Sequence, residues 1–285
     1  MKFKLINSFP IDVPAVSGME FYDGNLIMIS DSANEISICN QFGKLVKVIN
    51  SNSLKINELL KKDKADFEAS TLINFDSSRC LLVIGSGSTE KNRNTAKLLY
   101  LDSDLEIQFD LLPFYNSIRT KYEVKINDWN IEALACHHNR LFFFNRGTNA
   151  IFEVNQFDLF NFLELKNTTF VSNKYNLKLN QLEGCNLGIS GVNTDEFGNF
   201  FCTASAEKTR DWYNDGEIIG SVITTFNIQE LKEEFTLEYE PFIINEQLEP
   251  IKLEAICQTN DRNRFFVASD NDGEKSMLYE IEIAF

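Results

Sequence analysis

A short unit recurs five times in the 285-residue chain: an apolar residue, a glutamate and usually a small residue, in "GMEF", "DFEA", "NIEA", "QLEG" and "KLEA". Each copy opens an apolar run. A turn and a second run follow ("NLIMISDS", "RCLLVIGSGS", "RLFFFNRGT", "NFFCTASAEK", "NRFFVASDND"), then a third ("EISICN", "AKLLYLD", "NAIFEVN", "SVITTFN", "SMLYEIEI"). Short runs rich in Phe, Ile, Leu and Val, broken by Asn, Asp, Ser and Gly, mark hairpin-linked strands. Units this small cannot bury their apolar faces alone, so they stack on one another.

The glutamates Glu20, Glu68, Glu132, Glu183 and Glu254 are spaced 48, 64, 51 and 71 residues apart, and 51 more lead from Glu254 past the C-terminus round to Glu20. The last unit has room for only three strands, while "KFKLINSF" ahead of Glu20 supplies a spare one. This predicts an all-β fold, a five-bladed β-propeller spanning residues 1–285 as one domain. The N-terminal strand pairs beside "SMLYEIEI" and closes the last blade, leaving no open sheet edge. A six-bladed ring is the alternative, if a long insertion hides a degenerate unit. Helical turns are expected in "SLKINELLKK" (53–62) and "DLFNFLELK" (158–166).

In a blade the innermost strand runs along the central channel and the second returns antiparallel, so the start of one is level with the end of the other. All five glutamates are therefore expected at one mouth of the channel, beside Asp31, Ser86, Arg146, Ser205 and Asp270, which end the second strands. Period-two alternation adds Asp66, Asn130, Gln181 and Lys252, two residues before four of the glutamates. The loops above contribute Lys91, Arg93, Lys208, Arg210 and Lys275.

Carboxylates gathered near one axis raise one another's pKa unless a cation or donors compensate. Hard oxygen ligands of this kind suit Ca²⁺ or Mg²⁺, with Ca²⁺ favoured in a wide, flexible ring. Glu20, Glu68, Glu132, Glu183 and Glu254 are thus the expected metal ligands. Glu132 and Arg146 are the expected catalytic pair, and Lys208, Arg210, Lys252, Asp31 and Asp270 the expected substrate contacts. In the competing reading, one polar residue per blade merely bonds the neighbouring backbone and locks the blades together.

A formal charge of −15, from 42 acidic and 27 basic residues, repels a phosphate backbone and argues against a nucleic-acid partner. Runs such as "LLVI" and "LFFF" are far below the roughly 18 residues of a membrane helix, and "MKFKLINSFPI" is too short in apolar residues for a signal peptide. A cytoplasmic monomer with no membrane partner, acting on a small anionic ligand, is expected. The six cysteines form no C-x-x-C pair and read as free thiols. "GSGST" (85–89) lacks the lysine of a phosphate loop, and "DNDG" (270–273) lacks the spacing of a calcium loop. His137 and His138 fall in a turn on the face opposite the glutamates, leaving no histidine for a serine or cysteine nucleophile at the mouth.

The recurring "EG" or "EA" and the "SD" in "FFVASDNDG" resemble bacterial propellers with phytase-type esterase-like activity, and more distantly the gluconolactonase and paraoxonase propellers. Those families mostly have six blades. The resemblance implies calcium and substrate at the channel mouth, which in this chain points to the same five glutamates. Two functions are thus in view: a divalent-metal-dependent hydrolase of a small phosphate-ester-like substrate, or a non-catalytic propeller that binds a small anion or a protein partner.

Overall fold

The computed structural model describes residues 2–51, 54–56, 59–60, 64–208, 216–270 and 276–284. Five sheets stand around a central axis. Blade 1 holds strands Val16–Tyr22, Asn25–Ser30, Ile36–Cys39 and Leu45–Val48, and blade 2 holds Phe67–Phe75, Ser78–Gly85, Thr95–Tyr100 and Glu106–Asp110. Blade 3 is formed by Ile131–His137, Arg140–Asn145, Ala150–Asn155 and Ser172–Leu179, and blade 4 by Leu187–Thr194, Asn199–Lys208, Glu217–Asn227 and Tyr239–Pro241. Blade 5 takes Lys252–Gln258, Arg264–Asp270 and Met277–Ala284 from the end of the chain and Lys2–Pro10 from its start. The closing register runs from Lys2 opposite Ala284 to Pro10 opposite Met277. The five-bladed reading and its closure are the observed architecture.

The apolar runs are explained by how blades stack. Five buried clusters fill the five interfaces between neighbouring blades. Along the second strand of blade 3, Leu141 and Phe143 enter the core shared with blade 2, and Phe142 and Phe144 enter the core shared with blade 4. A strand covered on both faces needs no polar alternation, hence the continuous "LFFF".

Among the described residues two α-helices interrupt the sheets. Gln156–Leu163 lies where a helical turn was expected, its start capped by Asn155 Oδ1, which accepts from the Phe157 and Asp158 amides. Leu112–Lys121, which the strand pattern does not announce, starts with a proline in its first turn. Half of "SLKINELLKK" lies outside the described residues, and the described half carries no helix. One strand departs from the simple plan: Glu234–Leu237, between the third and fourth strands of blade 4, pairs in parallel with Asn176–Leu179 on the outer edge of blade 3. Among the described residues no helix is long and apolar enough to cross a membrane.

Candidate functional site

Each inner strand carries one β-bulge near its start, at Ser17, Glu68, Glu132, Ser190 and Glu254. A bulge adds a residue that faces no partner across the ladder and re-aims its side chain. In all five strands the next residue is small: Gly18, Ala69, Ala133, Gly191 and Ala255. A Cβ on Gly191 would lie 2.7 Å from Thr203 Oγ1 and 2.8 Å from the Glu254 carbonyl oxygen, so the neighbouring blade presses against this position. The repeat is therefore apolar, polar, small, as "VSG", "FEA", "IEA", "ISG" and "LEA".

This register corrects the expected ring of five glutamates. Glu68, Glu132 and Glu254 occupy the repeated position; Glu20 and Glu183 do not. Glu20 lies three residues further along its strand, opposite Ile27 and buried. Glu183 is exposed in a tight turn before its strand, with φ 48°. Serines stand in their places, and both lock blades. Ser17 Oγ donates to the Phe67 carbonyl of blade 2, and Ser190 Oγ to the Leu253 carbonyl of blade 5.

The three glutamates face a cavity of about 10 Å³, walled by residues of all five inner strands and hence on the channel axis. That is room for roughly one water-sized occupant. Around it run two charge networks. Arg146, buried, donates through Nη1 to Glu132 Oε2 (3.1 Å) and through Nη2 to Glu207 Oε1 (2.7 Å). Lys252 Nζ lies 2.9 Å from Glu254 Oε1 and 3.5 Å from Glu207 Oε1, while Asn130 Nδ2 donates to Glu132 Oε1 at 2.6 Å. In the second network Lys64 Nζ lies 2.6 Å from Asp31 Oδ2 and 3.5 Å from Asp66 Oδ1. Asp66 Oδ2 also accepts from Arg93 Nη1 (2.7 Å) and Ser86 Oγ (2.5 Å). Asp31, Asp66 and Glu68 each offer an oxygen within 4.8 Å of the others.

Burial alone would lower the Arg146 and Lys252 pKa values, yet the surrounding glutamates hold both above their ordinary values. Burial would raise Glu207, but Arg146 and Lys252 bring it below the usual carboxylate range. Burial pushes Glu68 well up, and Asp66, Asp31, Glu132 and Glu254 push it further. Glu68 has no ion-pair or hydrogen-bond partner among the described residues.

Of the other expected site residues, Gln181 is exposed and bonded to Asn186, and Lys208 is exposed and paired with Glu217. Ser205 is committed to the Leu253 carbonyl. Asp270 ends its strand, partly exposed, at the position equivalent to Asp31. Lys91 is exposed, and Arg210, Lys275 and residues 271–273 of "DNDG" lie outside the described residues. Lys64 and Glu207 were not foreseen. Glu207 was hidden because the second strand of blade 4 runs to Lys208, past the point where its equivalents end.

Gly188 has the position that Asp66, Asn130 and Lys252 hold in other blades, two residues before the bulge. A Cβ there would lie 2.5 Å from Arg146 Cγ and 2.8 Å from its Nε. The missing side chain lets Arg146 cross from blade 3 to Glu207 in blade 4. Gly188→Ala should displace the guanidinium and lower stability by about 3 kcal/mol, as for a broken buried pair. A urea midpoint equal to wild type would show that the route tolerates a methyl group.

A family profile described as a family of unknown function (DUF6929) matches residues 12–283. The chain belongs to that family. No curated protein matches it. Among solved structures it is similar to the glutaminyl cyclase of Myxococcus xanthus, at 9% identity and TM-score 0.54, over 99% of this chain and 97% of that one. It is also similar to a virginiamycin B lyase of Staphylococcus aureus solved with quinupristin, at 12% identity and TM-score 0.46, over 99% and 100% of the two chains. A WD40 β-propeller domain matches at 11% identity and TM-score 0.41, over 94% of this chain and 64% of that one. These likenesses concern the fold, and one fold hosts many functions.

Proposed function

We propose that the channel mouth holds a divalent cation, Ca²⁺ or Mg²⁺, with Glu68 as its principal ligand and Glu254 beside it, while Glu132 stays unliganded. The observation that carries this reading is Glu68: a carboxyl that feels the Lys64 charge but makes no ion pair or hydrogen bond among the described residues, facing a small axial cavity. The balance of charge agrees. Asp31, Asp66, Glu68, Glu132, Glu207 and Glu254 outnumber Lys64, Arg93, Arg146 and Lys252, so an added cation relieves repulsion that an anion would leave in place.

The chemistry that follows is metal-assisted hydrolysis of a small phosphate-ester-like substrate, as in the esterase-like propellers the sequence resembles. The ion supplies a polarised water and a counter-charge for the substrate. Glu132, held by Arg146 and Asn130, takes a proton. Arg146 and Lys252 are already paired with glutamates, so they hold the carboxylates in place rather than bind the anion. Asp31, Asp270 and Lys208 stay as rim contacts for the substrate, and the protein works as a monomer in the cytoplasm. A non-catalytic role is the second reading, favoured by the blade-locking bonds of Ser17 and Ser190.

Calorimetry tests the proposal. Binding to the native state alone stabilises it by about 2.7 kcal/mol when free ion is 100 times the dissociation constant. Ca²⁺ or Mg²⁺ should therefore raise the melting temperature of the wild type, and Glu68→Gln should abolish the response while keeping the fold. A wild-type melting temperature indifferent to both ions and to Mn²⁺ sinks the cation site.

A further inference from the structure

Asp31, just past the second strand of blade 1, and Asp66 and Glu68, where the inner strand of blade 2 begins, bring one carboxylate oxygen each within 4.8 Å of the others. Among the described residues no other three acidic, histidine or cysteine side chains converge so closely. Oxygens gathered in this way suit a hard divalent ion. Acidic clusters are common without one, however, and what marks this cluster is that a cation already sits in it. Lys64 Nζ lies 2.6 Å from Asp31 Oδ2 and 3.5 Å from Asp66 Oδ1, and Glu68 also feels its charge. Asp66 Oδ2 is taken by Arg93 and Ser86, which leaves Oδ1 for the ammonium.

Lys64 differs from the lysines on the surface. The pairs of Lys44 with Asp12, Lys178 with Glu234 and Lys208 with Glu217 leave both side chains 39–71% exposed, where water and salt screen them. The Lys64 side chain is 12% exposed and that of Asp66 4%. Burial alone would lower the Lys64 pKa, yet Asp31, Asp66 and Glu68 raise it above its ordinary value, so the ammonium keeps its charge. Its backbone is pinned as well: the Ala65 amide donates to Asn34 Oδ1 of blade 1 at 2.9 Å.

We infer that the mouth is a two-cation centre with one cation built in: the Lys64 ammonium fills the seat formed by Asp31, Asp66 and Glu68, where a two-metal site would carry its second ion. This deepens the reading of a divalent ion at Glu68 and rests on it, and it limits the mouth to a single divalent ion. The two cations are not equivalent. A lysine ammonium is a compact point charge, so it replaces the charge of an ion, but it has no open coordination position on which to activate a water. In a two-metal site the ions both generate the nucleophile and stabilise the attacking and leaving oxygens. Here the first task is left to the ion at Glu68, and Lys64 is confined to the second.

Lys64→Met keeps most of the side-chain length and removes the charge, which empties the seat. Ca²⁺ and Mn²⁺ are titrated into the full-length wild type, Lys64→Met and the double variant Lys64→Met with Asp31→Asn, and bound ions are counted by equilibrium dialysis. Lys64→Met should hold one divalent ion more per chain than the wild type, and adding Asp31→Asn should remove it. Equal counts in wild type and Lys64→Met overturn the role of Lys64 and leave the ion at Glu68 standing. One ion in Lys64→Met and none in the wild type supports the seat and sinks the Glu68 reading. No ion in any of the three proteins overturns both. Should Lys64→Met fail to fold without ions, a cooperative melt restored by Ca²⁺ supports the seat, and a melt that stays lost counts against it.

Discussion

A protein lacking Lys2–Pro10 will lose cooperative unfolding and aggregate. The strand it removes pairs along its whole length with Met277–Ala284, and its loss turns that partner into an open edge. The damage is not confined to hydrogen bonds. Phe3 and Leu5 pack on the core between blades 4 and 5, Phe3 stacked on Phe242 with ring centroids 5.4 Å apart, over the fully buried Ile281 and Ile283. At about 1.5–3 kcal/mol for each large apolar side chain exposed, the loss is comparable to the roughly 5–15 kcal/mol that stabilises a whole domain. Scanning calorimetry and light scattering read the outcome. The peptide KFKLINSFP added in trans should restore part of the transition. A truncated protein that melts like the intact one would show that the ring is not sealed by this strand.

The second large effect is on pH dependence, through Glu20. Its Oε2 accepts from Asn193 Nδ2 at 3.3 Å, while Oε1 is buried without a partner. Blades 1 and 4 are not neighbours, so this bond spans the channel. Burial lifts the Glu20 pKa from 4.5 to about 8, and Arg79 and the Asn193 bond offset only part of the rise. A folded pKa above the unfolded one means that the unfolded chain releases its proton first. The group's contribution is thus fully present below about pH 4.5 and declines as pH rises, until the folded pKa near 8 is passed. At 1.36 kcal/mol per unit, the full decline is roughly 5 kcal/mol. Glu20→Gln cannot ionise. The stability of the variant minus that of wild type should therefore grow by several kcal/mol between pH 5 and pH 8, whatever fixed offset the new amide brings. A difference that stays constant across that range would falsify the neutral, buried Glu20.

How much of this was legible in the sequence depended on what each pattern encodes. The number of blades and the strand that closes them followed from spacing, because a ring must leave no edge and the residues had to add up to whole blades. Glu68, Glu132, Glu254 and Arg146 were placed at the mouth by the antiparallel pairing of the first two strands, and Asp66, Asn130 and Lys252 by alternation; they meet there. Glu20 and Glu183 were misplaced for one reason. The repeat was read through its glutamates, whereas the position that packing constrains is the small residue after the bulge, beside which Ser17 and Ser190 serve as well. A bulge also shifts alternation by one residue, so Glu20 looks aligned in "GMEF" although its strand has already bulged at Ser17. Lys64 and Glu207 were beyond reach because their roles depend on contacts between blades, which no local period records.

The parallel strand Glu234–Leu237 has its own consequence for how this ring can be taken apart. The chain leaves blade 4 after Asn227, adds this strand to blade 3 and only then returns to finish blade 4 at Tyr239–Pro241. Blades 3 and 4 are therefore laced together, as blades 5 and 1 are by the closing strand Lys2–Pro10. An engineer who wished to excise, duplicate or transplant a single blade could cut around blade 1 or 2, each a continuous stretch of chain, with whole sheets on either side. Here the unit of exchange is a pair, and a graft of blade 3 alone would arrive without its outermost strand.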